Sequence, residues 1–224
     1  MNVAETKEKI LTLLKERGEA TTAMLAGWLD VTYEATRQQV RQLEEGGLVR
    51  SQQRANPSGT GRPLRYYSLS VAGEQLFPKR YGALAIALIE AVDERLGEAS
   101  LRRVLAAISD KQVAGWAAQL ADKDLRQRLE ELREIYLQDD PFTEVRSGDE
   151  GPQLVERNCP YLRTALERPA LCSVTVSTLE QLLGRRVSRV QRFQDGDGCC
   201  VFQVHVEDVI DAEQRGFRFE TEVT

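Results

Sequence analysis

The chain has 224 residues, which is enough for two small domains with separate hydrophobic cores. Hydrophobic residues make up 42% of it and charged residues 29%, and the net charge of −5 excludes a protein that is basic throughout. No stretch is apolar enough to cross a membrane, and the first residues lack the basic and apolar segments of a signal peptide. We therefore expect a cytoplasmic protein that has no membrane partner.

Residues 1–77 have the pattern of a winged helix-turn-helix domain, the first of three predicted regions. Apolar residues recur at helical spacing up to Gly18, and a second short helix can be capped by Thr21 or Thr22. A turn at 30–32 leads into a third helix. Residues 1–80 carry a net charge of +3, whereas residues 81–150 carry a net charge of −6. Positive charge is thus concentrated near the N-terminus.

The third helix has a polar and basic outer face suited to the major groove of DNA. Ala35, Val40 and Leu43 are predicted to face the core. Two strands around a loop rich in Pro, Gly and Arg would form the wing, whose guanidinium groups suit phosphates and narrow grooves. The alternative is a domain of the same fold used only for protein contacts. The predicted DNA-binding residues are Thr32, Tyr33, Thr36, Arg37, Gln38, Arg41, Arg54, Arg62 and Arg65.

Residues 78–140 are predicted to form linking and dimerisation helices. Leu84, Leu88, Val92 and Leu96 recur four residues apart, and helical spacing continues beyond them. Because winged-helix domains bind the half-sites of palindromic operators, we expect a homodimer on double-stranded DNA. A self-contained helical core without dimerisation is the alternative.

Residues 141–224 predict an α+β domain with antiparallel strands, so the whole chain belongs to the α+β class. Two β-prone runs precede two helices, and two more flank the turn sequence Asp-Gly-Asp-Gly at 195–198. The chain from Gly216 onward is predicted to be a frayed tail or a last strand. Asp195 and Asp197 fit the turn better than a calcium loop.

All four cysteines lie in this third region. Twelve residues separate Cys159 from Cys172 and twenty-seven separate Cys172 from Cys200, a spacing that matches no general zinc or ferredoxin motif. Cys159 and Cys172 are each expected near a helix start, where the helix dipole lowers the pKa of a thiol. On an alternating strand, Cys200 shares a face with Phe202, and Cys199 lies on the opposite face.

Alternation favours Cys200 as a third metal ligand, with Cys199 as the fallback if the strand bulges or ends there. Seven arginines and two acids between Arg157 and Arg192 give a local charge of +5, which would stabilise an anionic iron–sulfur cluster. The alternative is that these cysteines pack as small hydrophobic residues. His205 is the only histidine; we expect it at the surface, and it is a weaker candidate for a fourth ligand.

Enzymatic function is not expected from this sequence. It contains no nucleophile paired with a base, no phosphate-binding glycine motif and no HExxH zinc motif. We therefore predict no catalytic residue and no small-molecule substrate.

Several segments resemble the SufR family, the iron–sulfur-cluster-sensing repressors of suf assembly operons. They are Asn-Cys-Pro-Tyr-Leu at 158–162, Pro-x-Leu-Cys at 169–172, Leu-Leu-Gly at 182–184 and Asp-Gly-Asp-Gly-Cys-Cys-Val-Phe at 195–202. Gly-Arg-Pro at 61–63 and Leu-Glu-Glu-Gly-Gly-Leu-Val at 43–49 resemble the same family and other winged-helix regulators. The resemblance therefore covers nearly the whole chain.

This resemblance implies a dimeric redox-sensing repressor that binds operator DNA when it carries an oxygen-labile cluster. It implies a 4Fe-4S cluster on Cys159, Cys172 and Cys200. The fourth ligand is open between Cys199, another side chain, a small thiol and the partner subunit. Two alternatives from other classes are a cluster-free thiol-redox or zinc-responsive regulator with the same DNA-binding domain, and a cysteine-dependent oxidoreductase.

Overall fold

The computed structural model describes residues 3–56, 62–148 and 150–220 of a mixed α+β protein with two antiparallel sheets. The chain divides into two compact units, Met1–Lys79 and Arg80–Thr224. The first unit ends two residues after the predicted boundary at 77. The helices expected at 78–140 as a separate region belong to the second unit, because they share a hydrophobic core with its sheet.

The first unit combines helices with a three-stranded sheet in the order β1-β3-β2. Its elements are α1 (Val3–Arg17), β1 (Glu19–Thr21), α2 (Thr22–Leu29), α3 (Tyr33–Glu45), β2 (Val49–Arg54), β3 (Leu64–Leu69) and α4 (Val71–Gln75). The sequence patterns predicted α1, α2, α3 and the β2–β3 pair, and missed the short elements β1 and α4. Of the expected loop between β2 and β3, residues 57–61 lie outside the described part of the chain.

Local capping explains where α2 and α3 begin. The hydroxyl oxygen of Thr21 accepts a hydrogen bond of 3.3 Å from the Met24 N–H, and that of Thr32 accepts one of the same length from the Ala35 N–H. Such caps satisfy donors that the first helical turn leaves unpaired. Asp30, in a left-handed conformation with φ 53°, ends α2, so a three-residue turn joins the two helices.

The inward face of α3 differs from the prediction at two positions. Thr36 is completely buried, whereas Ala35 is exposed. The buried stripe passes through Thr36, Val40 and Leu43, which lie four and three residues apart; Ala35 is five residues before Val40 and so lies about 140° round the helix from it. The Thr36 hydroxyl donates to the Thr32 carbonyl oxygen over 3.1 Å, which satisfies it inside the core.

The second unit packs helices against a four-stranded antiparallel sheet in the order β4-β5-β7-β6. Its elements are α5 (Tyr81–Leu96), α6 (Glu98–Leu120), α7 (Leu125–Tyr136), β4 (Glu144–Gly148), β5 (Gly151–Glu156), α8 (Leu162–Glu167), a 3-10 helix (Pro169–Cys172), α9 (Ser173–Leu183), β6 (Arg185–Gln191), a 3-10 turn (Phe193–Asp195), β7 (Cys200–Val209) and a last 3-10 turn (Ala212–Gln214). Asp149, in the expected β4–β5 turn, lies outside the described residues.

One face of this sheet is covered by α7 and α9. Leu132 of α7 and Leu179 of α9 are fully buried against Leu154 of β5 and Phe202 of β7. Helix α9 ends at Gly184, whose φ of +63° suits the left-handed cap that glycine adopts without strain. The sheet and α9 thereby form the rigid frame on which the cysteines are placed.

Helix α5 leaves part of its apolar stripe uncovered. Val92 is half-buried, but the side chains of Leu84, Leu88 and Leu96 are between 58% and 66% exposed. An apolar cavity of about 360 Å³ lies beside this stripe, between α5, α6 and α9. Within the described ranges, no helix combines the length and the apolar character that a membrane crossing requires.

The end of the chain is neither frayed nor a strand as far as residue 220. Phe219 is buried in a second hydrophobic cluster with Leu101, Leu105 and Val174. The Arg218 guanidinium group donates to both carboxylate oxygens of Glu180, at 2.8 and 2.6 Å. The tail is thus fixed to α9; residues 221–224 lie outside the described part.

Candidate functional site

Three of the four cysteines line one small cavity in the second unit. Cys159, Cys172 and Cys200 meet there, in a space of about 20 Å³. Cys199 does not line it, because it lies on the other face of the sheet beside Val201. The alternation expected for β7 is therefore confirmed for these two adjacent thiols.

Different elements present the three thiols. Cys200 is the first residue of β7, and Cys172 ends the 3-10 helix that begins at Pro169 and leads into α9. Cys159 lies in the loop between β5 and α8, directly before Pro160. Residues distant in the sequence thus meet in one place because the central strand β5 ends where its neighbour β7 begins, next to the loop after β5 and the start of α9.

A buried carboxylate fixes the loop that carries Cys159. One carboxylate oxygen of Asp140 accepts hydrogen bonds from the backbone N–H groups of Arg157 and Asn158, at 2.5 and 2.9 Å, and the other accepts one from Phe142 at 2.9 Å. Burial alone would raise the pKa of Asp140, but these N–H donors lower it below its ordinary value. The carboxylate is therefore ionised at neutral pH and holds the loop.

A buried guanidinium group lies among the thiols. The side chain of Arg189 is 3% exposed; it donates to the Cys172 carbonyl oxygen at 2.8 Å and to the Cys200 sulfur at 3.7 Å. Its Nε lies 3.0 Å from a Glu220 oxygen, an ion pair that lacks the alignment of a hydrogen bond. Burial alone would lower the pKa of Arg189, but Glu220 and the two thiols raise it above the ordinary value. A permanent positive charge therefore faces the sulfur atoms.

Gln194 supplies a second donor to the thiols. Its amide nitrogen lies 3.0 Å from the Cys172 sulfur and 3.1 Å from the Ala165 carbonyl oxygen. The amide oxygen is buried and has no hydrogen-bond partner among the described residues. Hydrogen bonds to sulfur favour the thiolate, which is the form that binds metals.

Burial raises the pKa of Cys159 to about 12, and the nearby Glu156 contributes to the increase. Burial also raises the pKa of Cys200, although a backbone N–H and Arg189 oppose it. The expectation of a lowered pKa at Cys159 is therefore wrong. Helix α8 begins three residues later and has only six residues, so its dipole is weak compared with the loss of solvation.

A carboxyl group completes the lining of the cavity. Glu156, the last residue of β5, is 8% exposed, and burial raises its pKa to about 7 although Arg189 opposes the change. The protonated and the ionised forms of this carboxyl group are therefore both populated at neutral pH. Glu156 was not predicted as part of the site.

The cavity has two larger neighbours. Tyr161 and Thr175 line it and also line a space of about 80 Å³ beside Cys159 and the apolar cavity beside α5. A cluster of several iron atoms needs more room than 20 Å³. A bound cluster would therefore extend beyond this cavity into the adjoining spaces.

The donor set suits a thiolate-bound cluster. Three thiols, a buried cation and an N–H donor to sulfur are the groups that hold and stabilise an anionic iron–sulfur centre. In the part of the chain that is described, no group of three or more His, Cys, Asp or Glu side chains has a geometry suited to a metal ion. The types of residue fit an iron–sulfur cluster, whereas the positions of their side chains do not form a coordination shell.

The other residues considered as ligands lie elsewhere. His205 is half-buried and its Nε2 is 2.8 Å from the Ser188 hydroxyl, outside the thiol cavity. Asp197 accepts a hydrogen bond of 2.9 Å from the backbone N–H of Arg192, and Asp195 lies 3.3 Å from the Arg192 side chain. Both aspartates therefore stabilise the turn before β7.

In the first unit, the predicted DNA-binding residues of α3 differ in accessibility. Tyr33 and Gln38 are exposed, whereas the burial of Thr36 removes it from any DNA-contacting surface, which corrects the prediction. Thr32 is exposed and caps α3 through its hydroxyl. Arg37 and Arg41 are exposed and pair with glutamates one turn away on the same helix.

The arginines of β2 and β3 are also engaged. Arg54 forms a two-point ion pair with Glu19, and Arg65 lies 2.8 Å from a Glu44 oxygen. Arg62 is exposed and has no ion-pair partner in the described residues. Exposed ion pairs of this kind contribute little to stability.

Four residues of the site were not predicted from the sequence: Asp140, Glu156, Arg189 and Gln194. Arg189 contributed to the local charge of +5 but was not singled out. Glu156 had one local signal, because it lies two residues after Leu154 on the inward face of a strand, where a carboxyl group is unusual. The partners of Asp140 follow it in the sequence without any motif. Comparison of the chain with protein-family models and with curated proteins finds no match.

Proposed function

We propose that this protein is a DNA-binding transcriptional repressor whose operator binding depends on an iron–sulfur cluster. The observation that supports the proposal most directly is the meeting of Cys159, Cys172 and Cys200 in one cavity beside the buried guanidinium group of Arg189. The resemblance to the SufR family agrees with this arrangement and suggests the suf assembly operon as the target. The cluster, 4Fe-4S by that resemblance, would supply sensitivity to iron, sulfide and oxygen.

The first unit supports DNA binding. Helices α2 and α3 are joined by a three-residue turn, and the antiparallel β2–β3 pair follows, which is the order of a winged helix-turn-helix. Tyr33 and Gln38 are exposed on α3 and can reach base edges. Arg54, Arg62 and Arg65 would contact phosphates, two of them by exchanging a glutamate for the DNA backbone.

The uncovered apolar face of α5 supports a homodimer. Leu84, Leu88 and Leu96 are exposed on this helix, and Val104 and Ile108 are partly exposed on α6 beside them. An apolar surface of this kind is unusual on a monomer and typical of a contact with another chain. A second copy would cover it and place two α3 helices on one palindromic site.

Contacts between α8 and α5 provide a route from the thiols to the DNA-binding unit. Helix α8 lies between Cys159 and Cys172 in the sequence and packs against α5. Arg168, directly after α8, forms an ion pair with Glu90 of α5. Because α5 follows the first unit in the chain, ligation that fixes both cysteines would also fix the start of α5.

Non-enzymatic function in the cytoplasm belongs to the same proposal, since a thiolate-bound cluster persists in a reducing compartment. The thiol-redox and oxidoreductase alternatives both require a readily formed thiolate. Without a metal, Cys159 is less suited to that chemistry because burial raises its pKa to about 12, whereas a bound metal would itself deprotonate the thiol. The zinc-responsive alternative is distinguished by metal analysis of the purified protein.

The proposal is tested by measuring DNA affinity with and without the cluster. Duplexes selected from a random pool by the anaerobically reconstituted protein serve as the probe. We expect the loaded wild type and Cys199→Ser to bind at least about tenfold more tightly than the iron-free protein and Cys172→Ser, a coupling of ordinary size for a regulator. Equal affinity of the loaded and iron-free proteins would rule out cluster-dependent binding.

A further inference from the structure

Glu156 and Cys200 are directly opposed in the antiparallel pair of β5 and β7. Side chains of opposed residues point to the same face of a sheet, with Cβ atoms about 5 Å apart. Leu154 and Phe202, the pair two residues further along, are buried on that face in the main core. The ends of the two strands therefore direct a carboxyl group and a thiol into the same cavity.

In the described part of the chain, no donor forms a hydrogen bond with the buried side chain of Glu156. It is 8% exposed, and within the described residues it makes no hydrogen bond or ion pair. The other two buried carboxylates there are paired: Asp140 accepts three backbone N–H groups, and Glu180 accepts both donors of Arg218. An unpartnered carboxyl group is unfavourable in a protein interior unless something compensates it.

The neighbouring cation, Arg189, attracts the Glu156 carboxylate through space but forms no hydrogen bond or ion pair with it among the described residues. Arg189 lines the same cavity, but its guanidinium group is directed at Glu220, at the Cys200 sulfur and at the Cys172 carbonyl oxygen. Glu156 lines the space that the three thiols surround, and it also lines the neighbouring space of about 80 Å³ beside Cys159. A cationic centre in that space is the partner that the carboxylate lacks.

We infer that Glu156 is the fourth protein ligand of the iron–sulfur cluster, binding one iron through a carboxylate oxygen. This inference rests on the proposed function, because it concerns the same site. Three cysteines leave one iron of a 4Fe-4S cluster without a thiolate, and carboxylate oxygen is an established ligand for iron. Cys199 lies on the opposite face and His205 is outside the cavity, so neither is placed to serve.

The test compares Glu156→Ala and Glu156→Cys with the wild type and with Glu207→Ala, an exposed glutamate on β7 of the same sheet. Each full-length protein is reconstituted anaerobically with ⁵⁷Fe and sulfide, and Mössbauer spectra are recorded. We expect the wild type and Glu207→Ala to show one iron site distinct from the rest. Glu156→Cys should make the sites alike, because the oxygen ligand becomes sulfur.

A second measurement follows the loss of iron to an added chelator. Removal of a ligand should make Glu156→Ala lose iron at least about tenfold faster than Glu207→Ala, a larger effect than that of an outer-shell change. Glu156→Gln, which preserves the volume of the side chain, gives the same comparison if Glu156→Ala does not fold, as judged by circular dichroism.

The outcomes separate the two proposals. A loaded wild type whose spectrum and rate of iron loss are unchanged in Glu156→Ala would overturn the ligand assignment and leave the cluster in place. A wild type that takes up neither iron nor sulfide would overturn the proposed function and this inference with it.

Discussion

The carboxylate of Asp140 accepts a hydrogen bond of 2.9 Å from the backbone N–H of Asn158, the residue directly before Cys159. The Asn158 side-chain amide in turn donates to the Asp139 carbonyl oxygen, also at 2.9 Å. These two hydrogen bonds hold the loop between β5 and α8 against the chain segment that follows α7. The position of the Cys159 thiol therefore depends on a residue that does not line the thiol cavity.

Replacing this carboxylate should loosen the loop. In Asp140→Asn, one of the two oxygens becomes an amide donor that faces a backbone donor, so we expect the free energy of unfolding to fall by about 2 kcal/mol. Urea denaturation of the iron-free protein at neutral pH measures it. Asp139→Asn is the matched control, because that side chain is exposed; an equal loss in both variants would contradict the role of Asp140.

The same carboxylate should make stability depend on acid. Folding lowers the pKa of Asp140, so its contribution is present above the unfolded value, near 4, and is lost as the pH falls through the lower folded value. The stability difference between wild type and Asp140→Asn should therefore stay constant near neutral pH and shrink below about pH 4. Unfolding curves over that range check this, and a difference that does not change with pH would refute it.

The fixed C-terminal segment gives a prediction about stability. Arg218→Ala leaves the Glu180 carboxylate buried with its guanidinium partner removed, and we expect a loss of about 3 kcal/mol in the free energy of unfolding. Arg186 lies 3.5 Å from the same carboxylate and is more exposed, so Arg186→Ala should cost less than about 1 kcal/mol. Chemical denaturation measures the free energy of unfolding of both variants. Similar losses in the two would show that the contact between Arg218 and Glu180 is not the main source of this stability.

DNA binding should respond to Arg62 through phosphate contact. We expect Arg62→Gln to weaken binding to all duplexes and to reduce the slope of log affinity against log salt by about 1. Arg126→Gln, an exposed arginine of the second unit, should leave the slope unchanged. Fluorescence anisotropy at several salt concentrations measures both, and an unaltered slope in Arg62→Gln would exclude this contact.

Local patterns predicted the parts of the fold that local geometry determines. The two-residue period of a strand separated Cys199 from Cys200, and the capping residues Thr21 and Thr32 marked two helix starts. Thr36 was predicted to face outwards because it lies in a polar run, although its position on α3 continues the buried stripe that contains Val40. The helical spacing of α3 was therefore predicted correctly, but the side of the helix that faces the core was not.

The rest of the site depends on contacts between distant segments. Glu156 faces Cys200 only because β5 pairs with β7, and Arg189 reaches the thiols from β6. Neither register follows from spacing in the sequence. The pKa of Cys159 was also predicted in the wrong direction, since the sequence showed a helix start but not the depth of burial.

The iron and acid-labile sulfide content of the four Cys→Ser variants shows whether Cys159, Cys172 and Cys200 hold an iron–sulfur cluster. Each protein is reconstituted anaerobically, assayed, and assayed again after exposure to air, together with its absorption near 400 nm, where thiolate-bound clusters absorb. We expect the wild type and Cys199→Ser to take up iron and sulfide and to lose both in air, whereas Cys159→Ser, Cys172→Ser and Cys200→Ser bind much less. Equal uptake by all four variants would rule out these three cysteines as the ligands, and no uptake by the wild type would rule out the cluster itself.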